Sequence, residues 1–250
     1  MIPKPKSQPL LTNKKIRLLI AKGEKQPLAV ESPYPSRGQT AWQLLYQTKA
    51  GRLFLKKTSK KNHIECCINE NSGSLAQREF WCFCLARAVG LPVPELWLLD
   101  KETTIQRWLD FPDGHIFSTS LGKMNFLPQN VYECALFDWL TGQVDRHDAN
   151  YLYDYVNKRI ILIDSAHSLL AHTGSLPDYL KMYEFSEVNE LQKVIQTKTS
   201  EQIKKFKVAK LKKLVPLKDK KESEALANRL QQLQGVNTIR GIISLYRGGI

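Results

Sequence analysis

Between Gly142 and Asp164 the chain has room for one polar loop and one tight reversal, and for little else. The loop is Asp145-Arg-His-Asp-Ala-Asn150; a short β-forming run, Tyr151–Tyr153, leads to a turn at Asn157-Lys158, and the apolar run Ile160–Ile163 returns to Asp164. A reversal this short delivers the carboxylates of Asp145 and Asp164 and the carboxamide of Asn150 to one small volume. Hard oxygen donors without a cysteine or histidine cluster suit Mg²⁺, completed by water and phosphate, rather than zinc. A carboxylate that closes four apolar β-formers needs a partner of its own.

The loop follows a helical pattern from about Asn130 to Thr141, ended by Gly142. Upstream, Trp42–Tyr46 and Arg52–Lys56 alternate as strands across Thr48-Lys-Ala-Gly51, a β-hairpin signature. From Ser72 to Val89 apolar residues recur at helical spacing; Gly90 stops that helix, and Pro92 and Pro94 forbid its continuation. Leu96–Leu99 and Thr103–Leu109 read as further strands, and everything beyond about Pro177 reads as helix, including Glu201–Val215 and Ser223–Leu233. A sheet-rich first part and a helical second part make an α+β chain of two lobes, with a seam near 109–114. The expected division is a flexible basic arm over 1–26, a first lobe over 27–110 and a helical lobe over 111–250. Alternation places Phe54 and Lys56 on one face of their strand and Lys57 on the other, an assignment that a one-residue slip would exchange.

Asp145-Arg146-His147-x-x-Asn150, an apolar strand and Ile163-Asp164 resemble the catalytic and metal-binding loops of atypical kinases. The groups they are similar to are the HipA-like protein kinases and the phosphatidylinositol 3-/4-kinase-like superfamily. That resemblance implies a two-lobed protein-kinase-like fold whose first lobe binds the nucleotide. It implies ATP with Mg²⁺ or Mn²⁺ as cofactors, Asp145 at the acceptor hydroxyl, and Asn150 and Asp164 at the metal. Lys56 then corresponds to the phosphate-binding lysine and Glu79 to its helix partner, while the backbone around Trp108–Leu109 would meet the adenine edge. The stretch Leu85–Leu96 resembles HipA-like kinases in particular. The phosphate-covering loop is thin: Ser36-Arg37-Gly38-Gln39-Thr40 offers one glycine, so only its backbone N–H groups are expected at phosphates. Asp164 is followed by Ser165-Ala166 rather than by an aromatic residue.

The resemblance leaves three functions open: a protein Ser/Thr kinase, a lipid or inositol-phosphate kinase, and an inactive kinase fold serving as a binding module. Ser165, His167 and Ser168 lack the sharp strand-to-helix turn that a serine hydrolase needs. His147 reads as a hydrogen-bonding loop residue and Asp148 as a solvated one.

The net charge of +13 is concentrated. Between Lys198 and Lys221 lysines face only Glu201 and Asp219, so Lys204, Lys205, Lys207, Lys210, Lys212 and Lys213 form a candidate contact for an anionic membrane or polyphosphate, or else a solvated helix face. A single aromatic residue, Phe206, falls among them, and no nucleic-acid-binding motif accompanies it. The cysteines are odd in number, 5 in all, and lack zinc-site spacing, so they read as reduced thiols. No apolar run is long enough to span a bilayer and no secretory core follows the basic N-terminus, which predicts a soluble, cytoplasmic chain, with export into a host cell as an effector by analogy only.

Overall fold

The computed structural model describes residues 11–26, 41–59, 61, 68–121, 124–183 and 188–248. The two-lobed α+β arrangement expected from the sequence is the one observed. The first lobe is built on an antiparallel sheet of five strands, β1 (Glu24–Gln26), β2 (Trp42–Thr48), β3 (Gly51–Lys57), β4 (Leu96–Leu98) and β5 (Thr103–Arg107), in the order β1-β2-β3-β5-β4. The register sets Lys56 opposite Gln43 on one side and Thr104 on the other. Lys56 therefore shares a face with Phe54, Thr104 and Gln106, while Leu53 and Ile105 face the other way.

That second face is covered by helix α1 (Asn13–Ala21), which lies within the stretch 1–26 expected as a flexible basic arm. Ile16, Leu19 and Ile20 recur at i, i+3 and i+4, and this short stripe packs on Leu53, Trp97 and Ile105. Thr12 caps the helix through the Lys15 N–H. The Trp97 indole N–H donates to the Leu11 carbonyl at 2.8 Å, and Asn13 and Arg17 donate to Leu98 and Leu99. The patch is too short to form a helix alone, but an apolar sheet face waits for it.

Helix α2 (Leu75–Val89) starts at Ser74, whose side chain forms a capping box with Gln77. It ends at Gly90, held at φ 79°, a conformation that costs glycine nothing. The far half of α2, with Cys82, Leu85, Ala86 and Val89, packs into the large core of the second lobe. Helix α3 (Pro128–Thr141) lies at the centre of that core, buried on nearly every side. Beyond it the hairpin β6 (Tyr151–Asp154) and β7 (Arg159–Leu162) reverses at Lys158, with φ 54°. The last helices are α4 (Lys198–Lys204), α5 (Val208–Leu214), α6 (Lys220–Gln232) and α7 (Ile239–Tyr246). The single helix expected over Glu201–Val215 is thus two, because the chain turns at Phe206, whose ring packs on the core. Among the described residues Cys82, Cys84 and Cys134 are free thiols; Cys66 and Cys67 lie outside them.

Candidate active site

Lys56 is 7% exposed, yet it carries a charge into the interior between the lobes. Its Nζ donates to Glu79 Oε1 and to Asp164 Oδ1, each at 2.8 Å. Burial opposes the ammonium form, but the charges of Asp164 and Glu79 outweigh it, and the pKa of Lys56 is raised. The carboxyl of Asp164 is affected in the opposite sense. Burial pushes it up, and the neighbouring ammonium of Lys56 more than compensates, holding it at about 2. The second oxygen of Glu79 accepts the Thr104 hydroxyl at 2.9 Å, so this buried carboxylate is satisfied from the sheet as well. Lys57 points to the other face and is exposed, which resolves the one-residue ambiguity by register.

The polar loop is held from within by Arg146. Its Nε and Nη2 donate to the two oxygens of Asp138 at 2.9 and 3.0 Å, and Nη2 also reaches Ser165 Oγ at 3.1 Å. Its Nη1 donates to the backbone carbonyls of Asn150 and Ile163. All five guanidinium N–H groups are thus engaged. Because the Ile163 N–H also donates to the Asn150 carbonyl at 3.3 Å, Asn150 and the residue preceding Asp164 are held as one unit. Gln143 adds a second tie, donating to the Asp164 carbonyl at 3.1 Å and accepting the Asp145 N–H at 3.3 Å. Asp164 itself sits at φ 50°, a sparsely populated conformation for a residue other than glycine.

Asn150 Nδ2 donates to the Asp145 carbonyl at 2.7 Å and lies 3.0 Å from His147 Nε2. A carbonyl only accepts, which fixes the direction of the amide and leaves its Oδ1 with no donor among the described residues. Asp164 Oδ2 is likewise unclaimed. A carboxamide oxygen and a carboxylate oxygen fit a Mg²⁺ or Mn²⁺ ion that draws its remaining ligands from phosphate and water. Among the described residues there is no cluster of three or more His, Cys, Asp or Glu side chains that could cage a metal on their own. Asp145 Oδ2 lies 2.9 Å from His167 Nδ1. That hydrogen bond is the main reason the Asp145 carboxyl is lowered, while in His167 burial is outweighed by Asp145 and Asp164 and its pKa is raised.

The structure therefore brings together Lys56, Glu79, Asp145, Asn150 and Asp164. A small cavity borders Glu79 and Asp164 and is walled by Phe83, Gln106, Phe137 and Ile163. Trp108 and Leu109 do not line it. The Trp108 ring stands edge-on to Phe54 beneath the Arg52 guanidinium, and the Trp108 backbone N–H donates to the Arg52 carbonyl at 3.0 Å. What this segment leaves for an adenine edge is the Trp108 carbonyl and the Leu109 N–H, unpaired among the described residues. Gly38 and the rest of the phosphate-loop candidate lie outside the described residues. Asp148 is not the solvated residue expected, since its carboxylate meets His115 Nδ1 at 3.1 Å and its N–H donates to Asp178 at 3.0 Å. Sequence reading missed Thr104, Gln143 and Arg146 and assigned His167 no role at the site. The one available signal was position, since Arg146 lies inside the loop motif and His167 three residues past Asp164.

No protein-family model matches the chain, and no curated protein matches it. Two similar solved structures are the Helicobacter pylori proinflammatory kinase CtkA and the Rio2 kinase–ADP/Mg²⁺–phosphoaspartate complex from Chaetomium thermophilum. The first is 12% identical with a TM-score of 0.46, covering 90% of this chain and 96% of that one. The second is 13% identical with a TM-score of 0.42, covering 88% and 84%. Likeness at this level carries no functional weight, and the chemistry of the site rests on its own geometry.

Proposed function

We propose that this chain is an ATP-dependent phosphotransferase of the atypical protein-kinase type, acting on a hydroxyl of a protein in the manner of HipA-like kinases. One observation carries the reading: Lys56 of the first lobe bridges Glu79 and Asp164 across the interlobe seam, at 2.8 Å to each. A buried ammonium held by two carboxylates at a cleft is what a triphosphate needs from one wall of its site. In this reading Lys56 contacts phosphate oxygens and Glu79 holds its ammonium in place. Asn150 and Asp164 would hold Mg²⁺ or Mn²⁺, which when bound neutralises charge on the phosphates.

The transferred γ-phosphorus breaks its bond to the β–γ bridging oxygen and forms one to the acceptor hydroxyl oxygen. The hydroxyl proton passes to Asp145 or to water. A carboxyl with a lowered pKa is a weak base, so Asp145 contributes chiefly by orienting the hydroxyl, and His167 fixes Asp145 in turn. Transfer through a loose transition state asks for this positioning more than for early deprotonation.

A second reading, a lipid or inositol-phosphate acceptor, is favoured by the lysine face. Lys207, Lys210, Lys212 and Lys213 are exposed, whereas Lys204 is half-buried over the Tyr132 ring and Lys205 pairs with Glu201 at 2.7 Å. Among the described residues no helix is long and apolar enough to cross a membrane, so any bilayer contact would be peripheral.

Incubation with γ-labelled ATP and Mg²⁺ or Mn²⁺ tests all of these. Label on the protein or a generic protein acceptor supports the first reading, and label in phosphoinositides or inositol phosphates the second. Neither turnover nor ATP binding would leave a binding module. Asp164→Ala is expected to abolish transfer with the circular dichroism unchanged; transfer near that of the unaltered chain would refute the assignment.

A further inference from the structure

Next to Glu79 on helix α2 stands Arg78, the largest of the fully buried side chains, at 0% exposure. Its Nε donates to the Gly73 carbonyl at 2.9 Å. One Nη donates to the carbonyls of Ser168 and Leu169 at 3.1 and 2.9 Å, and the other to both carboxylate oxygens of Glu222, each at 2.9 Å. Every guanidinium nitrogen is engaged, and a single one of them is shared between the two oxygens of Glu222. The three acceptor segments differ in kind. Gly73, at φ 123°, opens the turn into α2; Ser168 and Leu169 belong to the stretch that runs on from Asp164; Glu222 lies in the first turn of α6. The N-terminus of α6 is fastened to the same turn a second time, since the Asp219 N–H donates to Ser72 Oγ at 3.0 Å and Asn69 donates to Asp219 at 3.3 Å.

We infer that Arg78 and Glu222 form a positioning pair that holds the first turns of α2 in place and so sets Glu79 against Lys56 and Asp164. The inference rests on the reading of the Lys56 cluster as the nucleotide site. The far half of α2 is anchored in the second-lobe core, but Glu79 lies in the near half. There, among the described residues, Leu75 packs on Ala166 and Leu170, Trp81 packs on the second-lobe core, and Arg78 supplies charged and backbone-directed hydrogen bonds to the second lobe. Adjacent residues of a helix move together, so a displacement that pulls Glu79 from Lys56 must also break the bonds of Arg78. A desolvated ion pair resists that displacement where a lone surface contact would not.

The test uses the full chain without nucleotide and reads labelling of Lys56 by an amine-selective reagent, quantified on its peptide, with exposed Lys57 as the internal standard. Glu222→Gln and Arg78→Lys are expected to raise Lys56 labelling about fivefold or more, toward the level of Glu79→Gln. Glu222→Gln added to Glu79→Gln should raise it little further, and Glu224→Gln on the exposed face of α6 should leave it unchanged. A lower melting temperature with unchanged Lys56 labelling would show a purely structural pair and overturn the inference, as would independent, multiplying effects of Glu222→Gln and Glu79→Gln. Should Glu222→Gln fail to fold, Glu222→Asp keeps the charge, shortens its reach and must give an intermediate increase; no increase refutes the inference. Labelling needs no turnover. The expected pattern in a chain that transfers no phosphate sinks the kinase reading alone; unchanged labelling in an active chain sinks the pair alone.

Discussion

Arg146→Lys keeps the charge beside the polar loop but reduces five donors to three. Arg146 is 5% exposed, and its five contacts are the two oxygens of Asp138, Ser165 Oγ and the carbonyls of Asn150 and Ile163. At least two contacts are lost. Hydrogen bonds to a charged donor contribute about 1.5–3 kcal/mol each, which gives about 3–6 kcal/mol. The lower end is expected, because the Asn150 carbonyl keeps the Ile163 N–H and the Ser165 hydroxyl can rotate. A loss of about 3 kcal/mol lowers the melting temperature of a chain this size by about 6–12 °C. Urea titration at 25 °C measures the loss directly. Phosphoryl transfer well below the melting point should fall at least about tenfold, since Asn150 and Asp164 are placed through those two carbonyls. Arg146→Met should cost more, about 3–5 kcal/mol for the uncompensated charge of Asp138 alone, a residue 0% exposed. A loss under about 1 kcal/mol for the lysine variant, or a methionine variant no worse than it, would refute the donor count.

Lys56→Met should reduce transfer by at least about a hundredfold while Lys57→Met stays within about twofold, measured as kcat/KM for ATP; equal losses would mean that register does not select the lysine. The pair of His167 and Asp145 makes stability depend on pH at both ends. The raised His167 contributes in full below its ordinary 6.5 and loses that contribution as pH rises through the higher folded value; the lowered Asp145 contributes above its ordinary 3.8 and loses it as pH falls. Urea midpoints between about pH 5 and pH 9 should decline on the alkaline side, and His167→Gln should flatten that decline. An unchanged slope would remove His167 from the account. Ile16→Ala, at a side chain 0% exposed, should cost about 2–4 kcal/mol by chemical denaturation; a cost below about 0.5 kcal/mol would mean that α1 does not belong to the first-lobe core.

Local chemistry made much of this protein legible in one dimension. Ser74 and Gly90 bracket α2 through a capping box and a left-handed residue, and Gly142 ends α3 with φ 59°. Alternation in Trp42–Thr48 and Gly51–Lys57 and the turn between them specify a hairpin, and the short return from Asn150 to Asp164 leaves the chain no other way to go. Caps, periods and turns act over a few residues, so they are written where they operate. What tertiary structure alone decided is which charges are buried. Nothing near Arg78 names Glu222, 144 positions away, and only a family resemblance, not the residues around Lys56, links it to Asp164, 108 positions away. In sequence each is one cation among many. Whether a lysine or arginine is solvated or held without water depends on a counter-charge that only the folded chain brings within hydrogen-bonding distance.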